Sequence, residues 1–409
     1  MKAGWQTKKL EQLSKKKDAI VSGPFGSNLK VSDYKAEGIP ILRLQNIGKG
    51  YFIDKSIKFI NEEKAEELKY HSFVQGDIAL AKLGIPIGKT CIIPSHFKSG
   101  IITADIVRIR PDLNIVDYKY LEYFLNTDLS VAQLTGNISG ATRPRVNLSD
   151  VRNIEIPLPP LPEQQRIVVI LDEVFEYIAI AVANAKKNLN NARGLFESTL
   201  QSVYTSKGAG WVETKLGLVY DVRDGTHDSP KYHATGYPLI TSKNLKREGL
   251  DFDDIKLISE EDYRKINARS LVHKGDVLFA MIGTIGNPTV VISEPNFAIK
   301  NVALFKLNHS QSSNFLKYYL DSQMVISKMM DEAKGTTQKF VGLGYLRDFP
   351  IHLPPLETQQ RIVSKLDELS AETKKLEAIY QQKLTALDEL KKSILNQAFS
   401  GQLHIKAAA

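Results

Sequence analysis

Leu158-Pro159-Pro160-Leu161-Pro162-Glu163-Gln164-Gln165-Arg166-Ile167-Val168 is met again as Leu353-Pro354-Pro355-Leu356-Glu357-Thr358-Gln359-Gln360-Arg361-Ile362-Val363, 195 residues further on. Leu171-Asp172-Glu173 and Leu366-Asp367-Glu368 keep that offset. Each copy closes one half of the 409-residue chain, so the chain is a duplication, and the duplication organises every other reading.

Working outward, the repeat weakens but continues. Trp5-Gln6-Thr7-Lys8-Lys9-Leu10 matches Trp211-Val212-Glu213-Thr214-Lys215-Leu216, and Gly38-Ile39-Pro40 matches Gly236-Tyr237-Pro238. Gly76-Asp77 falls on Gly275-Asp276, and Gly140-Ala141-Thr142 on Gly335-Thr336-Thr337. Between these points the halves diverge: Gly23-Pro24-Phe25-Gly26-Ser27-Asn28 stands opposite Asp224-Gly225-Thr226-His227-Asp228. A shared frame with different loops suits a module that recognises two different targets.

After each proline hinge comes a long stretch of helix-forming sequence. Pro162 suits a first helical turn, where its missing N–H is not needed, and Glu163 favours the positive end of the helix dipole. Apolar or small residues at Ile167, Leu171, Val174, Ile178, Ala181, Ala185, Ala192 and Leu195 alternate in spacings of three and four. The second copy places Ile362, Leu366, Leu369, Thr373, Leu376, Tyr380, Lys383, Leu387, Leu390 and Ile394 in the same register. Each helix runs for about 40 residues, roughly 60 Å at 1.5 Å per residue. Helices of that length must bury their stripes, and the nearest matching stripe is the other copy. A rotation of about 180° between the halves makes the pair antiparallel.

Residues 1–160 and 206–355 show short apolar runs punctuated by Gly, Pro, Asn and Asp. Ile39–Leu44, Ile78–Ala81, Thr90–Ile93, Ile101–Ile109, Val277–Met281, Thr289–Ile292 and Val302–Leu307 read as strands. Glu62–Tyr70, Tyr118–Leu125, Glu260–Ile266 and Asn314–Lys328 read as helices. Strict β-α alternation is absent, so the class is α+β rather than a doubly wound sheet. The expected fold is two duplicated globular domains separated by two long antiparallel coiled-coil helices, with pseudo-twofold symmetry.

Composition narrows the chemistry. Hydrophobic content of 43% is ordinary for a globular chain, and a net charge of +8 favours a polyanionic partner. Cys91 is the single cysteine, which excludes an internal disulfide and a cysteine zinc site. With no apolar run long enough to span a bilayer and no signal segment, the expectation is a cytoplasmic protein without a membrane partner. Lys82-Leu83-Gly84-Ile85-Pro86-Ile87-Gly88-Lys89-Thr90 resembles a phosphate-binding loop but is one residue short between its glycines. It reads better as a turn between strands. No Gly-x-Gly-x-x-Gly opens a helix, the eight histidines are scattered, and no nuclease constellation is apparent. The sequence therefore advertises no catalytic residue, metal site or bound cofactor.

It does offer loops rich in hydrogen-bond donors. In the first half these are Ser22, Phe25, Ser27, Asn28 and Lys30; Arg43, Gln45 and Asn46; Lys82 and Lys89; and Thr142, Arg143 and Arg145. In the second they are Arg223, Thr226, His227 and Lys231; Ser242, Lys243 and Asn244; and Thr336, Thr337, Gln338 and Lys339. Arg and Lys contact phosphates or guanine edges, and Asn and Gln can pair with adenine. Taken singly, each also serves as a turn-stabilising residue. As a set, at equivalent points of two domains, they point to DNA.

Together these features resemble the specificity (S) subunit of type I restriction–modification systems. The likeness spans nearly the whole chain, and its strongest parts are the two hinges, the helix after each, and Phe399-Ser400-Gly401-Gln402-Leu403. The second hinge departs from the family pattern in having Glu357-Thr358 where Pro-Glu is usual. The resemblance implies target-recognition domains at 1–157 and 206–352, hinge and spacer helices at 158–205 and 353–400, and a tail at 401–409. Each domain would read one half of a split, asymmetric double-stranded DNA target, with the helices fixing the gap. The chain would neither methylate nor cut. It would dock two methyltransferase subunits carrying S-adenosylmethionine and, through them, restriction subunits that use ATP and Mg. Glu163, Gln164, Gln165, Arg166, Gln359, Gln360 and Arg361 are the candidate subunit contacts, with helix-start hydrogen bonding as their equal alternative. Ser400–Leu403 is expected to dock near the start of the first domain. Two other classes stay open: a self-contained methyltransferase or nuclease, and a protein-binding scaffold.

Overall fold

The computed structural model describes residues 4–136, 145–206, 208–335 and 339–403. Thr142, Arg143, Thr336, Thr337 and Gln338 lie outside the described residues. The chain divides into two compact units, Met1–Ala185 with Lys383–Ala409, and Lys186–Gln382.

The first unit contains strands β1 (Gln6–Lys9), β2 (Ile20–Ser22), β3 (Ile39–Leu42), β4 (Lys58–Ile60), β5 (Ser72–Val74), β6 (Ile78–Ala81), β7 (Thr90–Ile92), β8 (Ser99–Ile102), β9 (Ile106–Ile109) and β10 (Glu155–Leu158). Helices α1 (Glu62–Glu67), α2 (Tyr118–Leu125), α3 (Asp128–Thr135) and α4 (Leu148–Arg152) precede the long α5 (Leu161–Thr205), which continues into the second unit. That unit repeats the plan with β11 (Val212–Lys215), α6 (Leu216–Val219), β12 (Asp221–Asp224), β13 (Tyr237–Ile240), β14 (Leu245–Lys246), β15 (Gly249–Leu250), β16 (Lys256–Ile258) and α7 (Glu260–Ser270). It continues through β17 (Val277–Ala280), β18 (Gly286–Val290), β19 (Ala298–Ile299), β20 (Val302–Lys306), α8 (Ser313–Asp321), α9 (Gln323–Glu332), α10 (Leu343–Asp348) and β21 (Pro350–Leu353) to the long α11 (Leu356–Ser400).

Sheet order shows the duplication directly. A four-stranded sheet β2-β9-β6-β7 in the first unit answers β12-β20-β17-β18 in the second. A second sheet, β4-β3-β8-β5, answers β16-β13-β19, and the ribbon β1-β10 answers β11-β21. The repeated Trp-to-Leu segments are thus explained: each supplies the strand that pairs with the approach to a proline hinge.

The recurring small motifs have steric and electrostatic causes. At Gly38 and Gly236 φ is +127° and +141°, and an added Cβ would stand 2.4 and 2.1 Å from the carbonyl oxygens of Ile60 and Ile258. In the Gly-Asp pairs, the aspartate caps its own turn, Asp77 accepting from Val74 N and Asp276 from His273 N, both at 2.8 Å. The buried carboxylate then takes a cation from the end of the neighbouring strand: Arg110, just past β9, in two bonds of 2.7 Å, or Lys306, the last residue of β20, at 3.0 Å.

Two sequence expectations are corrected. Ile101–Ile109 is not one strand but two in different sheets, with β8 running parallel to β3 and β9 antiparallel to β6. The expected helix over 314–328 is two helices, broken at the buried Ser322, whose hydroxyl donates to Tyr319 O at 2.7 Å.

Within each unit the long helices pack antiparallel. In the first, Ile167 and Leu171 near the start of α5 share a core with Ile394, Ala398 and Phe399 at the end of α11. In the second, Leu200 and Tyr204 at the end of α5 share a core with Val363 and Leu366 at the start of α11. The expected stripe needs revision along the way. Leu195 is 50% exposed, and burial passes instead through Leu189, Ala192 and Leu200. On α11, Leu376 and Leu390 are exposed while Thr373 is buried. As expected, the segment ending at Leu403 docks near the start of the first domain, Leu403 being buried in the same cluster as Leu10 and Leu13; just before it, Phe399 at the end of α11 meets Tyr120 and Phe124 at centroid distances of 5.1 and 5.2 Å. Among the described residues, no helix is long and apolar enough to cross a membrane.

Candidate nucleic-acid interface

In each unit several of the donor-rich segments meet at the connection that crosses from the second sheet to the first. In the first unit this is Thr103-Ala104-Asp105, between β8 and β9; in the second it is Lys300-Asn301, between β19 and β20.

Around the first connection, Ser22 Oγ donates to Ala104 O at 3.5 Å, and Lys82 N donates to Asp105 O at 2.8 Å. The Lys82 ammonium donates to Ser22 Oγ, and Arg145 pairs with the Asp105 carboxylate. Arg145 arrives there because Val146 N bonds Lys82 O, just as Val341 N bonds Met281 O in the other unit. Ser22, Lys82 and Arg145, remote in sequence, form one cluster. Burial, and next the Arg145 charge, hold the Lys82 ammonium below its ordinary pKa, while Asp105 acts in the opposite direction. Lys82 is 9% exposed, so it braces Ser22 rather than presenting a free cation.

The loop beyond Ser22 is open. Phe25 is 85% exposed, and Ser27, Asn28 and Lys30 are exposed with it. Gly23 allows the loop to leave the sheet, since a Cβ there would meet Thr103 O at 2.0 Å; Gly225 stands against Ile299 O in the same way at 2.2 Å. The two divergent loops are therefore structural counterparts. Lys89 is half-buried after the β6–β7 turn, which matches the turn expected of the phosphate-loop lookalike.

Around the second connection, Asn301 N donates to Thr226 O at 3.1 Å and Ser242 Oγ donates to Asn301 O at 3.3 Å. His227 lies between two polar groups, Nδ1 at 2.9 Å from Asn301 Oδ1 and Nε2 at 2.8 Å from Asp224 Oδ2. Arg269 also reaches Asp224, at 3.1 Å, and Lys300 donates to Ser229 Oγ at 2.6 Å. A cleft of about 350 Å³ opens beside them, lined by Thr226, Ser229, Lys265 and Arg269 among others. Arg223 sits at its own sheet edge, paired with Asp221 and donating to Arg269 O. Lys231, Lys243 and Lys339 are exposed.

Four sequence candidates have other work. Asn46 is fully buried: its Oδ1 accepts from Arg43 N, and its Nδ2 donates to Ile53 O and Lys55 O. Asn244 repeats this, accepting from Thr241 N and donating to Asp251 O. Both amides shape a turn, so neither faces a base; Arg43 donates to Ser56 O beside it, and only Gln45 of that group is exposed. At the helix starts, Gln164 is buried, accepting from Asp117 N at 2.8 Å and donating to Ile115 O and Pro159 O. Gln359 accepts from Ser312 N and donates to Pro354 O, both at 2.9 Å. These glutamines are hinge clamps, not docking residues. Gln165, Gln360 and Arg361 are exposed, and Arg166 is paired with Glu163 at 2.7 Å.

Residues that the sequence reading missed are Asp105, Asp224, Arg269 and Asn301. Reading Ile101–Ile109 as a single strand hid the crossover that makes Asp105 a meeting point. Among the described residues, no three His, Cys, Asp or Glu side chains gather as a metal site.

The class defined by this geometry is a duplicated α+β domain whose two long helices pair antiparallel and whose loops differ at equivalent places. A family model, the type I restriction modification DNA specificity domain, matches residues 2–191 and again 209–386, so the chain belongs to that family. It is 26% identical over 328 residues to the type I restriction enzyme MjaVIII specificity subunit of Methanocaldococcus jannaschii, covering 76% of each chain. With the EcoKI specificity subunit of Escherichia coli it shares 21% over 394 residues, 90% of this chain and 83% of that one. The HsdS subunit from Thermoanaerobacter tengcongensis has the same fold, with a TM-score of 0.62 at 21% identity over 98% of both chains. A chain solved in work on complex assembly and conformational transition of the type I R-M system matches with a TM-score of 0.79 at 21% identity, over 98% of this chain and 99% of that one.

Proposed function

We propose that this chain directs a type I restriction–modification complex to a two-part DNA target and performs neither methylation nor cleavage itself. The observation that carries this reading is the pair of equivalent connections holding different side chains, Ser22, Lys82 and Arg145 in one unit and His227 and Ser242 in the other. An unchanged frame with exchanged polar contacts is what separate reading of two different half-sites needs. The exposed cations, Lys30, Lys231, Lys243 and Lys339, supply phosphate attraction that weakens as salt rises.

On this reading the long helices set the gap between half-sites, and their exposed flanks, including Gln165, Gln360 and Arg361, receive two methyltransferase subunits. S-adenosylmethionine belongs to those subunits, and ATP and Mg to the restriction subunits beyond them. The test incubates the purified chain with labelled S-adenosylmethionine and duplex DNA, with and without its methyltransferase partner. Methyl transfer at a bipartite site only when the partner is present is the expected result. Transfer by the chain alone would overturn the proposal in favour of a self-contained enzyme.

A further inference from the structure

Asp105 and Asn301 each stand immediately before the strand that follows the crossover, β9 in one unit and β20 in the other. Neither is a long cation or an aromatic, and each has a side-chain oxygen already engaged by a neighbour. Each instead holds such a side chain. Asp105 binds the Arg145 guanidinium, whose side chain is 56% exposed while the aspartate is 29% exposed. Asn301 faces His227, 58% exposed, whose other nitrogen is held by the largely buried Asp224.

The surroundings argue for a maintained position rather than a chance surface contact. Asp105 O is fixed by Lys82 N, and Asn301 O by the Ser242 hydroxyl. Asn301 also occupies φ +55°, a left-handed conformation that asparagine tolerates better than most side chains. The connection is three residues long in the first unit and two in the second, yet its last residue holds an exposed side chain, the Arg145 guanidinium or the His227 imidazole, in both. An exposed ion pair contributes little to stability, but a tethered guanidinium loses less freedom when it meets a base edge.

We propose that the last crossover residue of each unit is a specificity-positioning residue, Asp105 aiming Arg145 and Asn301 aiming His227 at the DNA half-site which that unit reads. This rests on the DNA-targeting reading above. It assigns the base contact to the remaining N–H groups of Arg145 and to the exposed ring of His227, whose two nitrogens are both held within the unit, and it assigns the orientation of that contact to Asp105 and Asn301.

The test uses the complete methyltransferase complex assembled on the full chain, with duplex libraries randomised in one half-site at a time. Arg145→Ala first identifies the half-site that belongs to the first unit. Asp105→Ala is then expected to reduce discrimination in that same half-site about tenfold, the scale of one lost oriented base contact, and to leave the other unchanged. Added to Arg145→Ala, it brings no further loss, because the two act as one. Asn301→Gly, which keeps the left-handed backbone available, does the same to the opposite half-site. A uniform fall in methylation with both preferences intact, an unchanged preference, or losses that add to those of Arg145→Ala would each overturn the proposal. If the unsubstituted complex shows no two-part preference, the DNA-targeting reading fails first and this inference with it.

Discussion

At Gln164 a single buried amide joins three segments: the start of α2 through Asp117, the loop at Ile115, and the hinge at Pro159. Gln359 does the same for α8 and the second hinge. Gln164→Ala would strand a backbone N–H and two carbonyls, at a cost of roughly 2–4 kcal/mol, whereas the exposed Gln165→Ala should stay within about 0.5 kcal/mol. Urea denaturation of the two variants separates the clamp from its neighbour; equal effects would contradict it. Glu122 carries a second prediction at this scale. It is 5% exposed, and burial raises its carboxyl from 4.5 to about 7, against the pull of Lys391, Asn126 and Lys119 and with Asp172 adding to the rise. Because the folded value lies above the unfolded one, the native state holds the proton more tightly. The associated stability is fully present below 4.5 and is lost as pH rises through about 7. Between about pH 5 and about pH 8 the protein should lose up to roughly 3 kcal/mol, and Glu122→Gln, which keeps an acceptor for Asn126, should flatten that slope. A denaturation series with the same slope in both proteins would refute it.

The elements show where periodicity sufficed and where it did not. Helix starts were legible because proline, an early acid and a repeated apolar spacing all act locally. The seam was legible only in outline: a three-four alternation admits neighbouring registers, and Leu195 and Leu200 both fit one. Packing chose Leu200, 1% exposed, over Leu195. Leu200→Ala should cost about 3 kcal/mol and Leu195→Ala less than about 0.5 kcal/mol, measured as shifts in the denaturation midpoint. The crossover between β8 and β9 was not legible at all. Ile101-Ile102-Thr103-Ala104-Asp105-Ile106-Val107 is an apolar run with a polar interruption, and a run of that kind does not say whether its two ends pair in one sheet or two.

For the whole molecule, the duplication implies that reading is modular. Replacing residues 1–157 with the corresponding domain of another member of the family should change one half of the methylated motif and leave the other half as it was. Sequencing the methylated sites checks this, and a change in both halves would show that the two readers are coupled. The exchange has a structural condition, because Tyr120 and Phe124 leave with the exchanged domain while Phe399, which they hold, remains. A donor without aromatic residues there should lose stability in the first unit. The candidate site was half visible beforehand. Ser22, Arg145, Thr226, His227 and Ser242 were found by residue type and by their place in the repeat. Asn46 and Asn244 were chosen for the same reasons, and proved to be turn supports.

Sequence by itself determined the duplication, the α+β class, the two helix starts and the glycines of the Gly-x-Pro elements. All of these follow from spacing and backbone sterics that act over a few residues. Tertiary structure alone decided which polar side chains spend their hydrogen bonds inside and which keep them for a partner. That depends on where distant strands bring Asp105 to Arg145 and Asn301 to His227. Such meetings are set by the register of whole sheets, which no local pattern encodes.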